Sequence, residues 1–320
     1  MPTTDRDVAV QADDLTRRFG PVLAVDGLSF HVKRGELFGL VGPDGAGKTT
    51  TLRMLSGVLP PSSGDARLGG TSVVEDPEEV KHRIAYMSQR FGLYTDLTVM
   101  ENLAFYADLF EVPKGEREER LERLFHFSNL GPFRDRLAGA LSGGMKQKLG
   151  LSCALIHQPE ILLLDEPTFG VDPISRRDLW LIVHDMVAEG VTAIVSTAYM
   201  DEAERFDRLA FLHRGRVVAL GSPDDLVDAM EGELLVITVD RVRQARQAVT
   251  GHAAVQLAAV FGDQLHVMVS SAQRDGPAVR SALEDWGFTV SGFQEAEPGL
   301  EDVFIHRIAR ADANAAEERA

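Results

Sequence analysis

One run of eight residues constrains the fold of this chain more than any other: Gly42-Pro43-Asp44-Gly45-Ala46-Gly47-Lys48-Thr49. Its glycines let the backbone curl until successive N–H groups point inward at an anion. The apolar stretch Leu37–Val41 reads as a short strand aimed at this loop, and from Lys48 to Leu59 the pattern turns helical. Strand, glycine loop and helix start, in that order, make a phosphate-binding loop. The helix N-terminus adds partial positive charge. Lys48 would neutralise the β- and γ-phosphates, and the Thr49 hydroxyl would ligate Mg²⁺. ATP and Mg²⁺ are therefore the expected cofactors, held by these eight residues and the adjoining Thr50.

A second element is Ile161-Leu162-Leu163-Leu164-Asp165-Glu166-Pro167. An apolar strand ending in a carboxylate puts a metal-binding group at the C-terminal edge of a sheet, where ligands collect. Asp165 suits Mg²⁺ through an intervening water, and Glu166 is placed to orient or deprotonate an attacking water. Alone, Asp-Glu after a strand is an ordinary solvated strand end; the loop upstream changes its reading. The third element, Leu141-Ser142-Gly143-Gly144-Met145-Lys146-Gln147, begins a helix just before that strand. This run resembles the signature motif of ABC ATPases and stands where that family has it. The resemblance spans about Val8 to Ala229. It implies an α/β P-loop NTPase fold with a helical signature subdomain, and two subunits packed head to tail. Ser142 and the N–H groups around Gly144 would then meet the γ-phosphate bound by the opposite subunit.

Further positions follow the same template. Phe19 stands where the family stacks an aromatic on adenine. Gln89 stands where a glutamine contacts Mg²⁺ and the water and links the site to the membrane partner. Asp172, in Gly170-Val171-Asp172-Pro173, falls in the loop that communicates across the dimer. One position departs. The family has a histidine after the next strand, and here the run is Val195-Ser196-Thr197-Ala198-Tyr199-Met200-Asp201-Glu202. Ala198 has no donor for the γ-phosphate, and removing one donor from a transition-state charge costs on the order of 10²–10³ in rate. The alternative raised by Ala198 is an ATP-binding switch with slow or no hydrolysis. A soluble non-transport ABC ATPase is the other. His184 and His213 lie outside the motif position and read as surface or packing residues.

The segment Arg90-Phe91-Gly92-Leu93-Tyr94-Thr95-Asp96-Leu97-Thr98 resembles ABC-2 type exporters, as does the ending Pro298-Gly299-Leu300-Glu301-Asp302-Val303-Phe304-Ile305. That resemblance, which includes the antibiotic-resistance group, implies an ATP hydrolase subunit that powers export through a separate integral membrane permease. Its second partner would be another ATPase subunit, in the first place a copy of itself. It would lie in the cytoplasm, peripheral on the inner face of the cell membrane. Phe91, Leu93 and Tyr94 are apolar groups in a surface loop and would receive the permease.

Beyond Ile84, strands alternate with helices, which predicts a largely parallel sheet. The strands are Ile84–Ser88, Ile161–Leu164 and Val191–Ser196; the helices include Glu116–Phe127, Leu141–His157 and Arg176–Glu189. Pro60–Gly70 reads as turn material. A break near Glu231-Gly232 separates an ATPase domain, 1–230, from residues 231–310. There a βαββαβ order suggests a small α+β ferredoxin-like domain with a regulatory or dimer-supporting role. In it, Pro277–Trp286 and Leu300–Ala309 read as helices, and 311–320 as a disordered polar tail.

Charge and composition close off other classes. With 33 basic against 49 acidic residues the formal charge is -16, which argues against a nucleic-acid partner. The single cysteine, Cys153, excludes an internal disulfide. No apolar run reaches the roughly 18–20 residues of a spanning helix, and Met1–Gln11 shows no apolar core of a secretory signal.

Overall fold

The structure, a computed structural model, describes residues 7–89 and 92–317; Phe91 therefore lies outside the described residues. The chain divides into two compact units after Leu220. The first runs β1 (Val8–Phe19), β2 (Val22–Lys33), β3 (Leu37–Val41), α1 (Lys48–Leu55), β4 (Ser63–Leu68), β5 (Thr71–Ser72), α2 (Pro77–Arg83) and β6 (Ile84–Met87). It continues through α3 (Val99–Leu109), α4 (Arg117–Ser128), α5 (Gly143–Leu155), β7 (Ile161–Asp165), α6 (Pro173–Ala188), β8 (Thr192–Thr197), α7 (Met200–Ala203), β9 (Arg208–His213) and β10 (Arg216–Gly221).

Six strands form one sheet in the order β10-β9-β3-β8-β7-β6, with β6, β7, β8, β3 and β9 parallel. Every residue of β3, β7 and β8 is buried. That is why these strands read as unbroken apolar runs: parallel strands covered on both faces have no polar side to alternate with. The parallel arrangement brings the C-terminal ends of β3, β7 and β8 to one edge, and with them the loops that begin at Gly42, Glu166 and Ala198. A second, antiparallel sheet has the order β2-β1-β4-β5. Leu52, Met54 and Leu55 of α1 are buried in a core shared with strands of both sheets. Helices α3, α4 and α5 make the helical layer, and α5 is buried from Lys148 to Leu155.

The stretch expected as turn material contains β4. It pairs antiparallel with β1, Val10 opposite Leu68 and Ala12 opposite Ala66. Only Ala66 and Leu68 of β4 turn fully inward, so the apolar alternation is too short to stand out beside Pro-Pro and Ser-Ser-Gly. Gly64 has a positive φ of 78°, and a Cβ there would lie 2.3 Å from Asp14 O, so glycine allows the strand its close approach.

The second unit holds α8 (Pro223–Asp228), β11 (Glu233–Val239), α9 (Val242–Val249), β12 (Val255–Phe261), β13 (Gln264–Val269), α10 (Ala272–Asp285), β14 (Val290–Ala296) and α11 (Leu300–Glu317). The boundary falls before the expected 230/231 because α8 packs against α11. The four strands pair antiparallel in the order β12-β13-β11-β14, the split arrangement that a βαββαβ order produces. Leu235, Ile237 and Val239 share one core with Ala245, Val249, Val279 and Leu283 of α9 and α10. Leu234, Val236 and Met268 face the other way. On that side α11 is tied down by Asp302, whose Oδ1 lies 2.7 Å from Nδ1 of His266.

Two further expectations need correction here. The helix α10 starts at Ala272, not Pro277, because Ser271 caps it and Pro277 is accommodated inside it. Of the expected disordered tail, 311–320, residues 311–317 continue α11 and the rest lie outside the described residues; the alanines favour helix strongly enough to outweigh the polarity.

Candidate active site

The loop after β3 is shaped by close approach. Gly47 has φ 106°, and a Cβ there would stand 2.8 Å from Ala24 O; a Cβ at Gly42 would stand 2.4 Å from Leu212 O. Any side chain at either position would drive the loop off its neighbours. Lys48 follows at the start of α1 and is only 4% exposed. Its Nζ donates to Gly42 O at 2.7 Å and Pro43 O at 3.1 Å, and pairs with Glu166 Oε1 at 3.0 Å. The three donors of the ammonium are thus all engaged.

Asp165, the last residue of β7, is buried. Its Oδ1 accepts from the hydroxyls of Thr49 (3.0 Å) and Ser196 (2.8 Å), and its Oδ2 from Tyr86 (3.4 Å). Burial pushes the Tyr86 phenol above its ordinary pKa, and the Asp165 charge pushes it the same way, so Tyr86 stays a donor. Glu166 has a positive φ of 49°, unusual for a residue with a side chain. Its N–H donates to Ser196 Oγ at 3.0 Å, and its Oε2 accepts from Gln89 Nε2 at 2.9 Å. Gln89, Glu166, Lys48, Thr49 and Asp165 therefore form one connected constellation.

These residues border an open cleft of about 750 Å³ lined by Phe19, Val22, Leu23, Ala24, the 44–50 run, Gln89, Glu166, Phe169 and Arg214. Gly42 and Pro43 contribute through the carbonyls that hold Lys48. Phe19 is 45% exposed at the rim, with the Arg17 guanidinium 4.6 Å from its ring centroid, so it is not a core aromatic. Ala198 is exposed beyond β8. It lines a smaller pocket of about 230 Å³ together with Asp44, Glu166, Thr168, Phe169, Thr197 and Tyr199. The two cavities share Asp44, Glu166 and Phe169, which places the alanine beside the Glu166 end of the cleft.

Ser142, Gly144 and Asp172 are brought together elsewhere; none of them lines that cleft. Ser142 is exposed and caps α5, its hydroxyl accepting from Met145 N at 3.3 Å. A Cβ at Gly144 would stand 2.1 Å from Ser175 Cβ and 3.4 Å from Asp172 Oδ2, so α5 and α6 start in direct contact. Asp172 caps α6 and accepts from Ser175 N at 3.0 Å. The bonds from the Ser175 amide and hydroxyl hold its carboxyl below the usual range. No motif in the sequence points to Tyr86, Ser196 or Arg214. Ser196 carries no local signal in the sequence: it meets Asp165 as its register partner across β7 and β8.

The profile of the family described as "ABC transporter" matches residues 25–169. The "Linearmycin resistance ATP-binding protein LnrL" of Bacillus subtilis (strain 168) is 32% identical over 306 residues, covering 94% of this chain and 98% of that protein. The chain belongs to the ABC transporter family. Its first unit is the ATP-binding cassette. The "Probable multidrug ABC transporter ATP-binding protein YbhF" of Escherichia coli (strain K12) is 47% identical to the cassette region over 234 residues, 72% of this chain. The chain spans only 40% of the length of that relative. A solved "Structure of ATP binding subunit of ABC transporter" superposes on 69% of this chain and 92% of its own with a TM-score of 0.63 at 31% identity.

Proposed function

We propose that this chain is the ATP-binding and ATP-hydrolysing subunit of an ABC-2 type exporter, working with a separate membrane permease and a second cassette. The observation that carries this reading is the Lys48–Glu166–Gln89 connection at the mouth of the cleft. A phosphate taken up by Lys48 exchanges one of its present acceptors for a phosphate oxygen. If that acceptor is Glu166, its carboxylate is released beside the γ-phosphate, where it can orient a water and take its proton as the water oxygen attacks phosphorus and the bond to the β-phosphate oxygen breaks. Phe19 stacks on the base, and the N–H groups of residues 45–50 hold the phosphate oxygens.

The Thr49 hydroxyl and the Asp165 carboxylate, 3.0 Å apart, with the Gln89 amide nearby, are hard oxygen ligands that suit Mg²⁺ bound mainly by the nucleotide itself. Bound there, the ion would offset charge on the β- and γ-phosphates. The N-terminus of α5 supports the two-cassette reading: a helix start with the exposed Ser142 at its tip suits an anion and does not line its own cleft. The names of the two relatives, a multidrug ABC transporter protein and a linearmycin resistance protein, support a transport role. A row of exposed aromatic side chains supports the permease partner. Tyr94 packs on Phe105 at 4.6 Å, and Phe110, just past the end of α3, continues the row, with the exposed Leu109 beside it in sequence. Among the described residues no helix is long and apolar enough to cross a membrane, so a peripheral place on the inner face would come through that partner. Ala198 favours the second reading, a binding switch with slow turnover. Phosphate release from Mg²⁺–ATP by the purified chain decides between them. Turnover abolished by Lys48→Ala supports hydrolysis; tight ATP binding without release supports the switch; neither rejects both.

A further inference from the structure

Glu202, in α7, is fully buried, yet it lies outside the cleft. Its Oε1 accepts from Thr168 Oγ1 at 2.6 Å and from Trp180 Nε1 at 3.2 Å, and its Oε2 accepts from Thr197 Oγ1 at 2.6 Å. Arg176 Nε stands 3.7 Å from Oε1. An ionised carboxylate in the interior is costly unless donors answer it, and here three donors and a cation do. What matters is where they come from. Thr168 follows Glu166 by two residues, Thr197 precedes Ala198, and Arg176 and Trp180 belong to α6, the helix that Asp172 caps. The loop beyond Thr197 is bound in as well: Tyr199 N donates to Thr197 Oγ1 at 3.0 Å, and the Arg176 guanidinium lies 4.5 Å from the Tyr199 ring centroid.

We propose that Glu202 is a positioning residue for ATP hydrolysis. It ties the Glu166 turn, the loop that carries Ala198 and the helix behind Asp172 into one unit, so that displacement of α6 is passed to both loops at the Glu166 end of the cleft. What the geometry adds to core stability is that the donors come from these three segments. The proposal rests on the hydrolytic reading above.

The test uses the full-length chain and three readouts: phosphate release, equilibrium ATP binding and thermal midpoint. In Glu202→Gln, kcat should fall about 10–100-fold, as for other groups that orient reactive residues, while ATP affinity stays within about threefold. Thr168→Val, which removes the hydroxyl at similar volume, should lower kcat in the same direction, and Thr168→Ser should restore it. The Thr168→Val and Glu202→Gln losses should combine to less than their product, because both act through the same bond. Wild-type kcat in Glu202→Gln would overturn the proposal. So would a joint fall of kcat, ATP affinity and thermal midpoint with Thr168→Ser no better than Thr168→Val. Should Glu202→Gln fail to fold, the two Thr168 variants decide alone. A wild-type chain that releases no phosphate counts against the hydrolytic reading itself.

Discussion

Residues 7–220 bury Lys48, Asp165, Thr168, Ser196, Thr197 and Glu202 around the ends of β3, β7 and β8, whereas in the second unit Asp302 is the one buried polar side chain among the described residues. Burying ionisable groups is unfavourable unless each is answered, and the cassette answers them with one another: Lys48 with Glu166, Asp165 with Thr49 and Ser196, Glu202 with Thr168 and Thr197. The second unit instead packs apolar faces on either side of a four-stranded sheet and uses its single buried carboxylate to fasten α11 to His266. Concentrated buried polarity marks the part of the chain that does chemistry; the other part is built for packing. A regulatory or dimer-supporting role for that second unit remains our proposal.

Four changes would break or sharpen this contrast. The largest effect is expected for Glu166→Gln, where phosphate release should drop by about 10²–10⁴-fold, as when a general base is removed. ATP binding, measured in parallel, should persist. Next is Ala198→His, which supplies the donor that the loop after β8 lacks; turnover should rise by up to about 10²-fold. Equal rates would show that the cassette does not need that donor. Gly144→Ala places a methyl 2.1 Å from Ser175 Cβ and should cost about 1–3 kcal/mol by overpacking, read as a lower denaturant midpoint. The smallest effect is expected in the second unit. Asp302→Asn weakens the bond to His266 and should cost about 0.5–1.5 kcal/mol, with ATP affinity and turnover unchanged. A loss of ATP affinity there would collapse the distinction between the units.

The cassette was legible where the chemistry is local. The loop at Gly42–Thr49 and the strands β3, β7 and β8 stand out because fully buried parallel strands leave apolar runs, and because a phosphate loop needs its glycines at fixed spacing. The antiparallel sheet was harder to see. The strand β1 carries Asp13, Asp14, Arg17 and Arg18 at exposed or half-buried positions with several register shifts along it, and β4 is hidden among turn-forming residues. At the site, the motifs name residues such as Gln89, Lys48 and Glu166 that line the cleft, while no motif names Ser196 or Glu202. Ser196 meets Asp165 from 31 residues away and Glu202 meets Thr168 from 34, and only the pairing of β7 with β8 and the placing of α6 bring them close. The separation of Ser142 and Asp172 from the cleft follows the same logic, since their expected ligand is the one held by another subunit.

The central claim, that a nucleotide is gripped between the Lys48 loop of one copy and the Ser142 helix of another, is tested most directly by solution mass. Light scattering on full-length Glu166→Gln, in which trapped ATP should persist, ought to show the mass doubling with Mg²⁺–ATP but not with Mg²⁺–ADP. The doubling should vanish when a bulky substitution, Ser142→Arg, is added to the same chain. A protein that binds ATP and stays monomeric, or a dimer indifferent to both nucleotide and Ser142, would contradict the account.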